Sequence, residues 1–482
     1  MSISSAINAA RSGLQVTSLR ADTVATNVAN AGTAGYVRRS ISISESITGG
    51  QTTGVRSSGY VRAGNEAVSA ERRSSLSDLS QSKILSTTWS SISTRVGDTA
   101  DGGQLFKAFS EFETTLADAA QTPESTTHAA SVLASANKVI SEFNQLSLLA
   151  VDLRREADTE IGAGVDALNL ALKNVEDLNG RIAASKPGSS ANAALIDERQ
   201  RELDTIAEYV PIQTAERHAG TIDVLTTEGV FLVAGAARKV EFSPSSAFGP
   251  EHTVGNGLLS GLTVDGLDIT PGADTFGAIS SGVLGALFQV RDEDAPGFSA
   301  QLDTLANDLV TRLSADSIDS TKTPGEQGFF VDSDPAAGAG IAARLQINAA
   351  IDPNQGGELR RLRDGIGSAT AGPTGSTTIL NNLSAAFTNV QPLNASGLNG
   401  SFSSTETIAH FSSIIGQTRI SRDAVLTSST TQYDALTQAE QSETGVDIDA
   451  QMQDLIFIEQ AYAANARVIE VASQLMDILM EL

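Results

Sequence analysis

The side chains that most often carry chemistry are few in this chain and poorly spaced for it. Its four histidines, His128, His218, His252 and His410, lie far apart and outside any H-x-x-x-H or H-E-x-x-H arrangement that sets two ligands on one helix face. Distant residues still converge in a fold, so the spacing weakens a zinc site without closing the case; surface or interface histidines are the plainer reading. Cysteine is absent, which removes disulfides, thiol nucleophiles and thiolate ligands together. Asp332 and Asp334 in VDSDPAAG alternate as calcium ligands do, but the other ligands of such a loop are missing and Pro335 interrupts it. NAGTAGYV and AAGAG are glycine-rich yet lack a P-loop Lys-Ser/Thr and a dinucleotide fingerprint after a strand, and no G-x-S-x-G elbow occurs. Any two of the many carboxylates can converge as a glycosidase pair, although one Trp and five Tyr argue against a sugar-stacking cleft.

Charge narrows the partners. With 32 Lys and Arg against 57 Asp and Glu, the formal net charge is −25. That field repels phosphate backbones and anionic membranes, and no Lys/Arg cluster interrupts it, so neither nucleic acid nor membrane insertion is expected. No stretch reaches about 18 uninterrupted apolar residues. The opening MSISSAINAARSGLQV lacks the charged head and apolar run of a cleavable signal.

Position must therefore come from larger elements, and the two ends are the clearest of these. Ile3, Ala10, Thr17 and Val24 recur every seven residues, interleaved with Ile7, Leu14, Ala21 and Val28. Together they draw one apolar stripe on a helix that stops in NAGTAG. At the other end Ile448, Leu455, Tyr462, Ile469 and Met476 keep the same rhythm, widened by Met452, Ile458, Ala466, Ala472 and Leu479, with Asp447 or Asp449 as cap. Residues 1–60 carry five Arg against Asp22 and Glu45, and residues 440–482 carry nine acids against Arg467. Opposite signs and complementary stripes predict that the two ends pair in coiled-coil fashion and then meet further copies. Two ordinary amphipathic helices of one globular domain fit the same pattern.

Between the ends, residues 36–68 alternate weakly, as an extended arm or irregular hairpin does. Residues 70–210 read as helices, the longest running from about Thr126 to Ala157 and continuing from Val165 to Ala184, with KPGSS breaking it. A hairpin turning at Glu228-Gly229 opens a β-rich stretch to about 275. Helix returns in VLGALFQVRDEDAPGFSAQLDTLANDLVTRLS, and again from about Thr407 to Gln441. The fold expected is mainly α with an inserted β-rich domain, its domains discontinuous. The terminal assembly domain takes 1–62 with 440–482. A helical domain takes 63–204 with 278–320 and 406–439, and a β-rich outer domain takes 205–277. An irregular mixed segment covers 321–405.

DTVATNVANAGTAGYVRR at 22–39 resembles the N-terminal signature of the flagellar rod, hook and hook-associated axial proteins, with Asn27, Asn30, Gly35, Tyr36 and Arg38 at the matching positions. Ala34 stands where Pro is commoner in that signature. The closing SETGVDIDAQMQDLIFIEQAYAANARVIEVASQLMDILMEL is similar to the end of the hook-associated protein 1 branch of that family, through Gly445, Val446, Asp447, Gln460, Tyr462, Asn465 and Ala466. DERQRELDTIAEYV and RLQINAAIDP look like internal segments of the same branch. The resemblance implies an elongated axial subunit with no enzymatic activity and no cofactor, forming the junction of hook and filament by helical self-assembly into a ring. It implies hook protein below, the second hook-associated junction protein above, and a cytosolic export chaperone on the C-terminal helix. It further implies passage through the flagellar export apparatus, without a cleavable signal, to the extracellular flagellum. Another axial subunit (hook, rod or second junction protein) is the alternative, and an extracellular enzyme or adhesin with coiled-coil termini a more distant one.

Overall fold

A computed structural model describes residues 3–33, 35–48, 51–97 and 103–480, so Ala34 and the extreme ends of the chain lie outside the described residues. From the N-terminus the elements are α1 (Ile3–Ala29), a hairpin of β1 (Arg39–Thr48) and β2 (Gln51–Arg62), then α2 (Glu66–Val96), α3 (Gln104–Gln121), α4 (Thr126–Ala184) and α5 (Ser190–Tyr209). Strands β3 (Ile212–Glu216), β4 (Ile222–Thr226), β5 (Phe231–Ala234) and β6 (Ala236–Ala237) form one antiparallel sheet. β7 (Val240–Glu241), β8 (Thr263–Val264) and β9 (Leu267–Asp268) form another. α6 (Gly282–Gln289) passes through one wide π-turn, Val290–Asp294, into α7 (Ala295–Ser314). Short pieces follow: β10 (Phe330–Asp332), α8 (Ile341–Arg344), β11 (Leu345–Ile347), α9 (Arg361–Asp364), α10 (Thr378–Thr388), and the hairpin of β12 (Gln391–Ala395) and β13 (Leu398–Phe402). Two long helices close the chain, α11 (Ser404–Thr444) and α12 (Ile448–Met480). The chain is mainly helical with small antiparallel sheets inserted, and its first and last helices belong to one layer.

Local sequence sets the helix ends. Asn65, Ser125 and Ser189 each accept a backbone N–H at the starts of α2, α4 and α5. Ser403 and Glu406 form a reciprocal capping box on α11. Asp447, one of the two candidate caps, accepts from the Asp449 and Ala450 amides at the start of α12. The long helix expected from Thr126 to Ala184 forms as one element, and KPGSS separates it from α5. Gly162 and Gly164 lie inside α4, which runs unbroken for 59 residues, about 90 Å at 1.5 Å per residue. A Cβ on Gly164 would come 3.1 Å from Leu284 and 3.2 Å from Tyr209, so this glycine admits α5 and α6 against the helix instead of ending it.

Two apolar cores share α4. The first joins α3, the N-terminal half of α4, α7, α10 and the start of α11, centred on Phe112 with Phe329, Phe330 and Phe387 at 5.4–5.6 Å. The segment 321–405 supplies Phe329, Leu345, Leu380 and Leu398 to it. The second joins the C-terminal half of α4, α5, α6 and the β3–β9 sheets. Between them lies a buried polar seam in which Arg291 of the π-turn donates to Asp158 of α4 at 2.7 Å. α2, which gives Trp89, Ile92 and Val96 to the first core and Leu85 to the second, runs along α11, linked by Ser86–Asp423 at 2.7 Å, Ser82–Ser429 at 3.1 Å and the pair Arg72–Glu440. They lead to the terminal layer, where α1 lies against α12 and the β1–β2 hairpin.

Candidate assembly interface

The two end helices pack antiparallel. Asn27 of α1 meets Gln451 near the start of α12, and Gly13 meets Asn465 further along. A Cβ at Gly13 would stand 2.8 Å from the Asn465 amide, so the helices approach closely because this position carries no side chain. On α1, Ala10, Thr17 and Val24 are buried, while Ile3, Ile7, Leu14, Ala21 and Val28 are half-buried. On α12, Ile458 and Ala472 are buried and Leu455 and Ile469 half-buried. Ile448, Met452, Tyr462, Ala466, Met476 and Leu479 are exposed within the single chain.

The turn that ends α1 is built around Asn27, which is fully buried. Its Oδ1 accepts from the Tyr36 hydroxyl at 2.8 Å and the Arg39 amide at 3.0 Å. Its Nδ2 donates to the Arg39 carbonyl and to Gln451 Oε1, both at 2.8 Å. One carboxamide thus fixes the exit turn, the first residue of β1 and the partner helix, satisfying groups that would otherwise be buried unpaired. Burial raises the Tyr36 phenol above its ordinary pKa, keeping it a donor to Asn27. Asn30 Nδ2 donates to the Thr26 carbonyl at the helix end, and Gly35 takes φ 72°, the left-handed region where glycine carries no penalty. Arg38 reaches the other long helix: its amide donates to the Thr444 carbonyl at 2.9 Å, and Nη2 to the Glu443 carbonyl at 3.3 Å. These contacts cap the C-terminus of α11 with a cation. Arg39 and Arg62 both pair with Asp197 of α5, tying the hairpin to the body.

Next to this turn, α2 and α11 leave a cleft of 880 Å³ lined by Tyr36, Arg62, Arg72, Asp204, Tyr433 and Glu440. Its charges spend themselves on one another, Arg72 bridging Asp204 at 2.6 Å and Glu440. Burial holds the Asp204 carboxyl above its ordinary range, with Arg72 pulling against it. The cleft reads as a structural joint.

Three of the four histidines, His128, His252 and His410, make local side-chain contacts. His410 stacks on Phe402 with ring centroids 4.7 Å apart, and His252 Nδ1 contacts the Ala247 carbonyl at 2.8 Å. Among the described residues, no three His, Asp or Glu side chains are grouped to hold a metal ion. Asp332 is taken by Arg344, which donates to both of its oxygens at 2.9 and 3.0 Å. No helix among the described residues is long and apolar enough to cross a membrane. The sequence reading missed Gln451, whose signal was a polar residue on the inner face of an otherwise apolar helix.

Comparison with known proteins finds flagellar relatives. The family model for the flagellar hook-associated protein FlgK helical domain matches residues 90–329, and that for the flagellar basal body rod FlgEFG protein C-terminal matches 438–482. Flagellar hook-associated protein 1 of Salmonella typhimurium is 23% identical over the whole of both chains. That of Bacillus subtilis is 22% identical over 98% of this chain and 96% of its own. The solved flagellar hook junction protein FlgK from Burkholderia pseudomallei overlaps 55% of this chain and 47% of its own, at 17% identity and a TM-score of 0.45.

Proposed function

Because the chain belongs to the family of flagellar hook-associated protein 1, a structural, self-assembling part of the flagellar axis and not an enzyme, we propose that its place is the joint between hook and filament. The observation that carries this is the state of α12: one side is already paired with α1, yet Ile448, Met452, Tyr462, Met476 and Leu479 remain exposed. A terminal helix with that much free apolar surface is made to be covered by neighbours. Copies would stack head to tail in a heterologous ring, with hook protein below and the second junction protein above. The rigid α2–α11 pair would pass load from the ring to the outer cores. Before assembly the same surface would need a cytosolic chaperone on α12, and the chain would leave through the flagellar export apparatus to the cell exterior.

A peptide tag in the exposed loop at Asn256, read by gold labelling in electron microscopy, tests the placement. One band of label between hook and filament supports it. Label along the hook shaft or rod would favour the second reading, another axial subunit, to which the rod-protein match of residues 438–482 lends weight.

A further inference from the structure

The two apolar cores end where the terminal layer of α1, α12 and the hairpin begins. Among the described residues, none of 3–62 or 448–480 belongs to either core, so neither core spans the joint between layer and body. The chain itself crosses twice, through residues 63–65 between β2 and α2 and residues 445–447 between α11 and α12. Beside the second link lies the 880 Å³ cleft, so the body leaves space there instead of a packed face. Two units joined by a small polar interface move relative to one another unless something holds them.

A buried polar chain does the holding. Gln451 of α12 accepts from Asn27 of α1, Asn27 bonds both backbone groups of Arg39, and the Arg39 guanidinium reaches Asp197 of α5 at 2.7 Å. All four residues are buried, and Asp197 alone of them belongs to the body. Its other oxygen takes Arg62 at 2.5 Å, and Arg62 is the cross-strand partner of Arg39. One carboxylate therefore grips both strands of the hairpin and neutralises two arginines that stand opposite each other. Arg39 depends on it: Nη1 reaches the Ser190 hydroxyl at 3.4 Å, Nε is buried without a partner, and the Tyr36 ring lies 5.0 Å away. The Tyr60 amide on the Gly188 carbonyl at 2.7 Å and the Arg38 amide on the Thr444 carbonyl at 2.9 Å cross the joint as well. Each is a single bond that fixes a point, whereas a carboxylate shared by two strands fixes a direction.

We propose that Asp197 is the positioning residue of this joint: it sets the angle at which the terminal layer meets the body, and without its charge the layer turns about the links at 63–65 and 445–447. The inference rests on the reading of the chain as a self-assembling axial subunit, and adds which residue fixes the attitude of each copy. The neighbouring charges of α5 are spent inside the body, Arg199 on Asn179 and the Gly220 carbonyl, Asp204 on Arg72. Removing the Asp197 charge leaves Arg39 and Arg62 facing each other with no anion between them, which drives the hairpin off α5.

The absence of cysteine makes a clean test. The purified full chain is labelled with a dye pair at Glu45→Cys on the hairpin and Glu208→Cys on α5, both exposed, and single-molecule energy transfer reads the distance between layer and body. A second pair, Ser110→Cys with Glu208→Cys, reads the body alone. One narrow distribution is expected for the first pair, broadened about twofold by Asp197→Asn, which keeps the shape and removes the charge. Asp197→Glu, which restores the charge, should stay narrow, and the body pair should be unchanged in both variants. In cells, Asp197→Asn should lower the number of filaments while Asp197→Glu keeps them. A first pair already broad in the parent, or equally narrow in Asp197→Asn, would overturn the proposal. Broadening of the body pair to the same degree would also overturn it, because Asp197 would then serve the fold in general. A held angle with gold label away from the joint of hook and filament would remove only the placement proposed above.

Discussion

Asp158→Ala offers the sharpest energetic test, because the polar seam between the two cores leaves little room for compensation. Arg291 is fully buried and Asp158 is 1% exposed. Their pair is 2.7 Å long, and the other Asp158 oxygen accepts the Ser245 amide, also at 2.7 Å. Breaking a buried ion pair from one side costs about 3–5 kcal/mol, because the remaining charge stays out of water. Arg291 keeps Asp292 at 2.9 Å, the Ser260 carbonyl at 3.0 Å and the face of Phe288 at 4.6 Å, which places the loss near the lower end, about 3 kcal/mol. Removing both charges with Asp158→Leu and Arg291→Met should recover part of that loss, since the fully buried charge is gone while Asp292, which loses its partner, still reaches water. Urea unfolding followed by tryptophan fluorescence reads this directly, because Trp89 donates to Asp294 in the same seam at 3.2 Å and is the single Trp of the chain. A cost below about 1 kcal/mol for Asp158→Ala, or a double variant as unstable as the single one, would refute the reasoning.

Three further outcomes are expected. Asn27→Ala should loosen the terminal layer by about 2 kcal/mol, seen as faster hydrogen exchange at the Arg39 amide, while exchange in the α4 cores stays unchanged. Ile458→Asp should cost about 3 kcal/mol in the pairing of α1 and α12, whereas Phe457→Asp should change monomer stability by less than about 0.5 kcal/mol and still block assembly; equal effects of the two in urea melts would contradict the two-face description of α12. The hydrogen bonds from Arg344 hold the Asp332 carboxyl below its ordinary pKa of 3.8. A lowered carboxylate pKa stabilises the fold above the unfolded value and loses that contribution as pH falls through the folded value, so Asp332→Asn should cost about 1–2 kcal/mol at pH 7 and progressively less below pH 3.8, as thermal melts at both ends of that range will show.

The end helices were legible because they depend on local information: seven-residue spacing, a helix-stopping NAGTAG turn and an acidic cap. Asn27 stood out as part of a signature, but its role depends on Gln451, 424 residues away, and no local pattern reports such a pairing. On α12 the rhythm of apolar residues was readable, whereas the division of that apolar arc between a partner within the chain and one outside it appears only when α1 is seated. The close approaches at Gly164, which admits α5 and α6 against α4, and at Gly162, which lies against Pro244, depend on residues distant in sequence that no local pattern reports. Residues 321–405 resisted reading for a related reason. Phe329, Phe330 and Phe387 lack periodicity of their own and are ordered by Phe112 on a distant helix.

The central claim, that this chain joins hook to filament, is met most directly by deleting its gene, imaging the cell surface by electron microscopy and assaying the growth medium for flagellin. The account predicts hooks that end bare, with flagellin lost to the medium. Full-length filaments on motile cells would contradict it, as would the loss of the hooks themselves.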